Sequence, residues 1–375
     1  MSKKDASKKQ IQITDLVTQL PKVVKDLPKI LNALYYNYSI TPETNISIGE
    51  VFLKTVRKFP HNTCIYYLDK SWTYDEFNNW VNRLANQFLK LGFKKGDVAA
   101  LLIENRPEIL AISMALAKIG GVAALINTAQ KHKPLIHSLH LAKPKLVLIG
   151  AELIENYIEV KKEVDFTNEI VYLIPNENIP FTKVKGIKEF DIKSASFSMR
   201  EPIVHYKIQS KDANLYIYTS GTTGLPKASV ISHGRWIKGY SAFGLTSLRL
   251  NEKDILYVPL PFFHATAMIV CWTSVIAGGA AIVVKNKFSI TDFWKDISFY
   301  KATGFGYVGE MCKYLLNTPI HPLEKNNSLT KMIGNGLRPD IWNDFKSRFD
   351  IEQIAEFYAS SEGNIAFFNV FNVDG

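Results

Sequence analysis

Three cysteines in 375 residues are too few and too scattered to act together. Cys64, Cys271 and Cys312 show no metal-ligand spacing, and an odd, widely separated set is not a disulfide framework. Their scarcity points to a reducing compartment. A cytoplasmic location is therefore expected, with peripheral contact to the inner face of a membrane left open. The chain also lacks zinc-finger spacing, basic-region heptads and an aromatic RNP-like strand, which excludes the common nucleic-acid modules. It has no internal repeat and no low-complexity tract. No compact apolar stretch follows the lysine-rich Met1–Gln10, so a secretory leader is not expected. Acidic residues are outnumbered, 35 against 45 Lys plus Arg, leaving a net charge of +10. That surplus is plain solubility or attraction to anions such as phosphates or an acidic lipid surface.

One long run is free of charge. Ile255 to Val284 passes a length test for a membrane span, but its interior does not. Pro259, Pro261, His264 and the pair Gly278-Gly279 break it into strand, loop, helix, turn and strand.

Hydrophobic residues make up 47% of the chain, enough for a large core. Residues 1–43 read as a basic extension and 44–375 as one large domain. In the extension Ile13, Leu16, Val17, Leu20, Val24, Leu27, Leu31, Leu34 and Tyr38 recur at helical spacing, with Pro21 and Pro28 set to split the helix. An arm packed on the main domain is the favoured reading. An amphipathic segment lying on anionic lipid is the other.

Beyond it, helices and strands alternate. Thr73-Tyr-Asp-Glu76 is a capping box opening a helix whose apolar face runs from Phe77 to Leu89 and which Gly92 ends. Val98–Ile103 is a continuous apolar run, suited to a strand buried on both faces. A helix over 106–119, a strand over 122–126, a helix over 134–141 and a strand over 145–149 follow. The rhythm predicts an α/β fold of stacked, mostly parallel sheets with flanking helices.

The most informative segment is Tyr216 to Ala228. A short strand, Leu215–Tyr218, feeds a loop holding Thr219, Ser220, Gly221, Thr222, Thr223, Gly224 and Lys227. Glycines let backbone N–H groups turn toward an anion, hydroxyls add neutral donors, and a lysine adds a point charge. That is chemistry for a polyphosphate. It is not a Walker loop, because Pro226 precedes Lys227 and Ala228 follows it.

Thr219-Ser-Gly-Thr-Thr-Gly-Leu-Pro-Lys227 resembles the phosphate-loop signature of the adenylate-forming superfamily, which includes acyl-CoA synthetases. Tyr257-Val-Pro-Leu-Pro-Phe-Phe-His264, Gly334-Asn-Gly-Leu-Arg-Pro-Asp-Ile-Trp342 and Glu356-Phe-Tyr-Ala-Ser-Ser-Glu-Gly-Asn364 are similar to further motifs of that superfamily. With Tyr307–Glu310 and Lys287–Ser289, they point to the fatty acid transport protein and very-long-chain acyl-CoA synthetase branch.

The resemblance implies a fatty acid–CoA ligase forming AMP. A long- or very-long-chain fatty acid, ATP and CoA are its substrates, Mg2+ is its metal, and nucleic acid is not a partner. Thr219 to Lys227 would hold the β- and γ-phosphates. Thr219 and Glu362 would bind Mg2+. Tyr358 would stack on adenine, with Gly334, Asn335, Gly336, Ala359 and Ser361 around the nucleotide. His264, Lys227 and Glu362 form the implied catalytic set, His264 positioning the carboxylate or α-phosphate. Read alone, His264 is a buried histidine bonded to a carbonyl; only its place after Pro-Leu-Pro-Phe-Phe points to the site. Ala359 and Ser361 stand where the family usually has Gly and Thr. The superfamily's large N-terminal domain normally continues past a point like Gly375 into a small domain bearing a further lysine. Little turnover is therefore expected of this chain alone. A non-catalytic nucleotide- or acyl-binding role, or fatty-acid uptake coupled to acylation at a membrane, are the alternatives.

Overall fold

The computed structural model describes Thr14, Val17, Pro21 and residues 24–370, except 168–169, 178, 180–183, 221–223 and 364. In chain order the strands are β1 (Thr63–Tyr67), β2 (Lys70–Thr73), β3 (Val98–Leu102), β4 (Val122–Leu125), β5 (Leu146–Gly150), β6 (Val171–Ile174), β7 (Lys188–Glu189), β8 (Ala213–Thr219), β9 (Lys227–Ser232), β10 (Ile255–Val258), β11 (Ala281–Val284), β12 (Gly304–Val308), β13 (Lys331–Asn335), β14 (Gln353–Ala359) and β15 (Ala366–Phe368). They form two sheets, one of seven strands in the order β7-β6-β5-β3-β4-β8-β9, the other of eight in the order β15-β14-β13-β12-β10-β11-β1-β2. Pairing is parallel except at β8/β9, β1/β2 and β14/β15.

Strand alternation sorts side chains into two cores. Ala99 and Leu101 of β3 join the large core that also holds Ile65, Leu256, Val258 and Ile282 of the other sheet. Val98, Ala100 and Leu102 face the opposite way, under Leu135, Leu139, Tyr157 and Val160 of the helices His132–Ala142 and Ile154–Val164. The helix Pro107–Lys118 is buried on nearly every side, as a helix of the shared core must be. These are the stacked sheets with flanking helices that the sequence rhythm predicts.

The local signals hold as well. Thr73 and Glu76 form the reciprocal capping box of helix Tyr74–Lys90, and Gly92 follows that helix with φ +78°. Ile255 to Val284 is β10, a loop, the helical segment Thr266–Gly278, Gly279 in a left-handed conformation, and β11. Among the described residues no helix is long and apolar enough to cross a membrane. The three cysteines are buried and free.

Much of the extension lies outside the described residues, including Ile13, Leu16 and Leu20 of its apolar series. The helix Leu27–Ser39 packs one face on the body through Ala33 and Tyr36, whose ring meets Tyr240 edge-on at 5.5 Å. Ser241 donates to the Ala33 carbonyl at 2.9 Å, and Arg249 pairs with Asp26 at 2.8 Å. Leu27, Leu31, Leu34, Tyr35 and Tyr38 stand exposed on the remaining face.

Candidate functional site

The two sheets meet at the carboxyl ends of β8, β13 and β14, the usual place for ligands in open α/β sheets. On the seven-stranded sheet, β8 and β9 form an antiparallel hairpin in which Thr219 and Lys227 are directly paired. Lys227 therefore opens a strand rather than sitting in the loop, a difference from the sequence reading. Within β9 the exposed residues Lys227 and Val230 lie on opposite faces, and the adjacent Val230 and Ile231 interrupt any apolar alternation. The sequence consequently carries little strand signal there. Helix His132–Ala142 braces the hairpin. His137 bonds the Pro226 carbonyl at 3.0 Å, and the Tyr218 hydroxyl donates to the Ser138 carbonyl at 3.0 Å. Ser220, Gly224 and Lys227 are exposed; Gly221, Thr222 and Thr223 lie outside the described residues.

The other side of the cleft comes from the eight-stranded sheet. β14 runs out through Tyr358 and Ala359 into the turn 360–363, where Glu362 is exposed. The Thr219 hydroxyl donates to Glu362 Oε1 at 2.5 Å, joining the two sides. That hydrogen bond is the main reason the Glu362 carboxyl is held below its ordinary pKa; the charges of Arg235 and Lys227 act in the same direction. A hydroxyl and a carboxylate on one spot form a hard oxygen donor set. Among the described residues no cluster of three or more His, Cys, Asp or Glu could hold a metal. Two oxygen donors alone would leave most of the shell of a hard cation such as Mg2+ to other ligands.

Beside this turn, β13 ends at the 334–337 loop. Gly334 is required there by packing, since a Cβ would lie 2.1 Å from the Tyr307 carbonyl oxygen, and Gly336 has φ +82°. Glu356 of β14 gathers the loop, its carboxylate accepting from the backbone N–H groups of Gly336 at 2.6 Å and Leu337 at 3.2 Å and from the Tyr307 hydroxyl. Burial nevertheless raises the Glu356 pKa, the three donors acting against it.

Tyr358 is 77% exposed, so its ring is presented to solvent rather than packed in the core. His264 is also exposed, and so is not a buried structural histidine. Its backbone N–H donates to the Pro261 carbonyl at 3.0 Å, and its ring centroid lies 4.5 Å from that of Phe263. Protein crowding one side of the ring lowers its pKa, which favours the neutral imidazole near pH 7.

A cavity of about 620 Å³ adjoins these groups. Asn335, Ala359 and Ser361 reach it, and so do Ala265 and Thr266, next to His264. Ile231, Phe243, Ile269, Val270, Phe357 and Phe368 make much of it apolar. Its far rim is Asn37, Ile40 and Pro42, at the end of helix Leu27–Ser39. A larger cavity of about 870 Å³, around Trp72 and Trp80, holds none of the predicted residues.

Three participants were not foreseen as such: Ser229, Arg235 and Glu356. Glu356 opens a motif quoted for its other residues, and no property of Ser229 or Arg235 as residue types marks them, since both act on backbone carbonyls.

The sequence matches the model of the AMP-binding enzyme family over residues 52–375. The medium/long-chain-fatty-acid–CoA ligase FadD6 of Mycobacterium tuberculosis is 34% identical over 363 residues, which cover 97% of this chain and 59% of that protein. Long-chain fatty acid transport protein 1 of Homo sapiens is 34% identical over 337 residues, 88% of this chain and 50% of its own. The chain thus spans between half and three-fifths of the length of these curated relatives. In fold it is similar to the anthranilate CoA ligase AuaEII, solved with anthranoyl-AMP, at TM-score 0.77 and 17% identity, covering 88% of this chain and 62% of that one. The N-terminal domain of FACL13 from Mycobacterium tuberculosis gives TM-score 0.72 at 23% identity, covering 84% of this chain and 77% of that one.

Proposed function

The chain belongs to the family of AMP-binding enzymes, and from that premise we propose that it activates a long-chain fatty acid with ATP, through an acyl-adenylate, to an acyl-CoA. A fatty acid carboxylate oxygen attacks the α-phosphorus of ATP, and the bond to the β-phosphate oxygen breaks, releasing pyrophosphate. The CoA thiol then loses its proton and displaces AMP from the acyl carbon.

The observation that carries this reading is the 2.5 Å bond between Thr219 and Glu362, which closes the phosphate-loop motif against the acid of the Glu356–Asn364 motif at the cleft between the sheets. Thr219, Ser220, Gly221, Thr222, Thr223, Gly224 and Lys227 would receive the β- and γ-phosphates, Lys227 offsetting charge as pyrophosphate departs. Thr219 and Glu362 would hold Mg2+, which supplies Lewis-acid charge neutralisation on the phosphates when bound. Tyr358 would cover the adenine, and Gly334, Asn335, Gly336, Ala359 and Ser361 would border the nucleotide. His264, neutral, would orient the carboxylate. The acyl chain would occupy the apolar cavity lined by Phe243, Ile269 and Phe357.

Titration of the purified chain with a fluorescent ATP analogue tests the reading. Saturable binding strengthened by Mg2+ is expected, and Lys227→Ala should weaken it about tenfold, the scale of one charged hydrogen bond. No saturable binding, or binding indifferent to Lys227, sinks it. Pyrophosphate release that requires both ATP and a long-chain fatty acid separates a ligase from a non-catalytic nucleotide binder.

The exposed apolar face of helix Leu27–Ser39 favours a second, compatible reading, acylation at a membrane surface. That helix contains no acidic residue, Lys25 precedes it, and its end borders the apolar cavity. Such a helix suits the interface of an anionic bilayer. Co-sedimentation with phosphatidylserine vesicles is expected and should be lost in Leu31→Glu/Leu34→Glu; equal sedimentation of both proteins would remove this reading.

A further inference from the structure

Thr219 ends β8 of one sheet and Glu362 lies in the turn after β14 of the other, a turn within which Ser360 Oγ accepts from the Gly363 N–H at 2.9 Å. Besides the Thr219–Glu362 bond, two further side chains tie that turn to the hairpin. Arg235 lies in the first turns of helix His233–Gly239, directly after β9, and Ser232 caps that helix by accepting the Arg235 backbone N–H at 3.2 Å. Its Nη2 donates to the carbonyls of Ser361 at 2.9 Å and Gly363 at 2.7 Å, the two residues flanking Glu362. Its Nη1 donates back to the Val230 carbonyl on β9 at 2.6 Å. Ser229, also on β9, donates its hydroxyl to the same Ser361 carbonyl at 2.5 Å. Three of the five guanidinium N–H donors are thus committed to main-chain oxygens on two elements.

We propose that Arg235, assisted by Ser229, is the positioning residue that fixes the Glu362 turn opposite the phosphate-loop hairpin, so that Glu362 is preset as a metal ligand. The inference rests on the reading of Thr219 and Glu362 as the Mg2+ pair. A planar fork spans acceptors on both elements at once. A lysine ammonium, a single point with the same charge, does not. Arg235 also borders the apolar cavity, so contact with a substrate carboxylate is the competing role, and the two roles move different quantities.

The test measures ATP affinity of the whole chain across a Mg2+ series, for the native protein and for Arg235→Lys, Ser229→Ala, Glu362→Gln and the Arg235→Lys/Glu362→Gln double variant. Arg235→Lys should raise the Mg2+ concentration for half-maximal strengthening by about 10- to 100-fold, the range for outer groups that orient metal ligands, with Mg2+-free affinity little changed. Ser229→Ala should shift it in the same direction by a smaller factor. It also carries the test if the arginine variant fails to fold. The double variant should be no worse than Glu362→Gln alone, because both changes act through one group. Full additivity, or loss of fatty acid affinity in Arg235→Lys with the Mg2+ series unmoved, overturns the proposal. If Glu362→Gln leaves the Mg2+ series unchanged, the metal pair itself falls. If Glu362→Gln shifts it and neither clamp variant does, only the clamp falls.

Discussion

Two carboxylates at opposite ends of the Glu356–Gly363 segment live in contrasting surroundings. Glu356 is half-buried, holds three donors and has its pKa raised by burial. Glu362 is exposed, holds one hydroxyl and has its pKa lowered by that bond and by nearby cations. The first stiffens a loop from inside the protein, while the second is presented to whatever enters the cleft. The contrast teaches that an acid's neighbours, not its place in a motif, decide whether it serves the fold or a ligand.

Removing each acid tests that division, and the structural one should cost most. Glu356→Ala strands the hydroxyl of the fully buried Tyr307 and the Leu337 N–H without their acceptor. A loss of about 2–3 kcal/mol is expected from the denaturant midpoint, since orphaned buried donors dominate such changes. A loss below about 0.5 kcal/mol would erase the distinction. Glu362→Gln should do the reverse, keeping stability within about 0.5 kcal/mol while weakening Mg2+-dependent ATP binding at least as much as Arg235→Lys, about 10- to 100-fold or more. Unchanged affinity together with lost stability would make Glu362 a fold residue too.

Much of this was legible beforehand because it is local. The Thr73–Glu76 cap, the buried run Val98–Leu102 and the breaks at Pro259 and Gly279 are written in adjacent residues, and the helices and strands form there. The motif segments containing Thr219 and Glu362 were legible as well, and the fold brings those two residues into contact across 143 positions. What stayed hidden depends on partners far apart in the chain. The strand order that mixes early β1 into a sheet of late strands has no local signature. Neither has the Arg235 clamp, whose acceptors are carbonyls that every residue possesses. The strand that Lys227 opens has no such signature either, because in this edge strand the adjacent Val230 and Ile231 interrupt the apolar alternation that marks a half-buried strand.

Tyr307→Phe gives the smallest and most discriminating change. It deletes only the hydroxyl that donates to Glu356, in a ring that is fully buried, and should cost about 1 kcal/mol. The cost should depend on pH. Folding raises the Glu356 pKa, so between its unfolded and folded values the native state binds the extra proton and stability falls as pH rises. The Tyr307 bond opposes that shift by favouring the charged carboxylate. Without it the folded pKa climbs further, the falling window extends to higher pH, and the penalty is greatest once the carboxylate is ionised in both states. Below the ordinary carboxylate pKa, Glu356 is protonated in both proteins and the penalty shrinks. Denaturant unfolding of native and Tyr307→Phe proteins at pH 4 and pH 8 should therefore give the larger gap at pH 8. An equal gap at both would mean that the hydroxyl serves packing alone and that Glu356 owes its place to the Gly336 and Leu337 backbone.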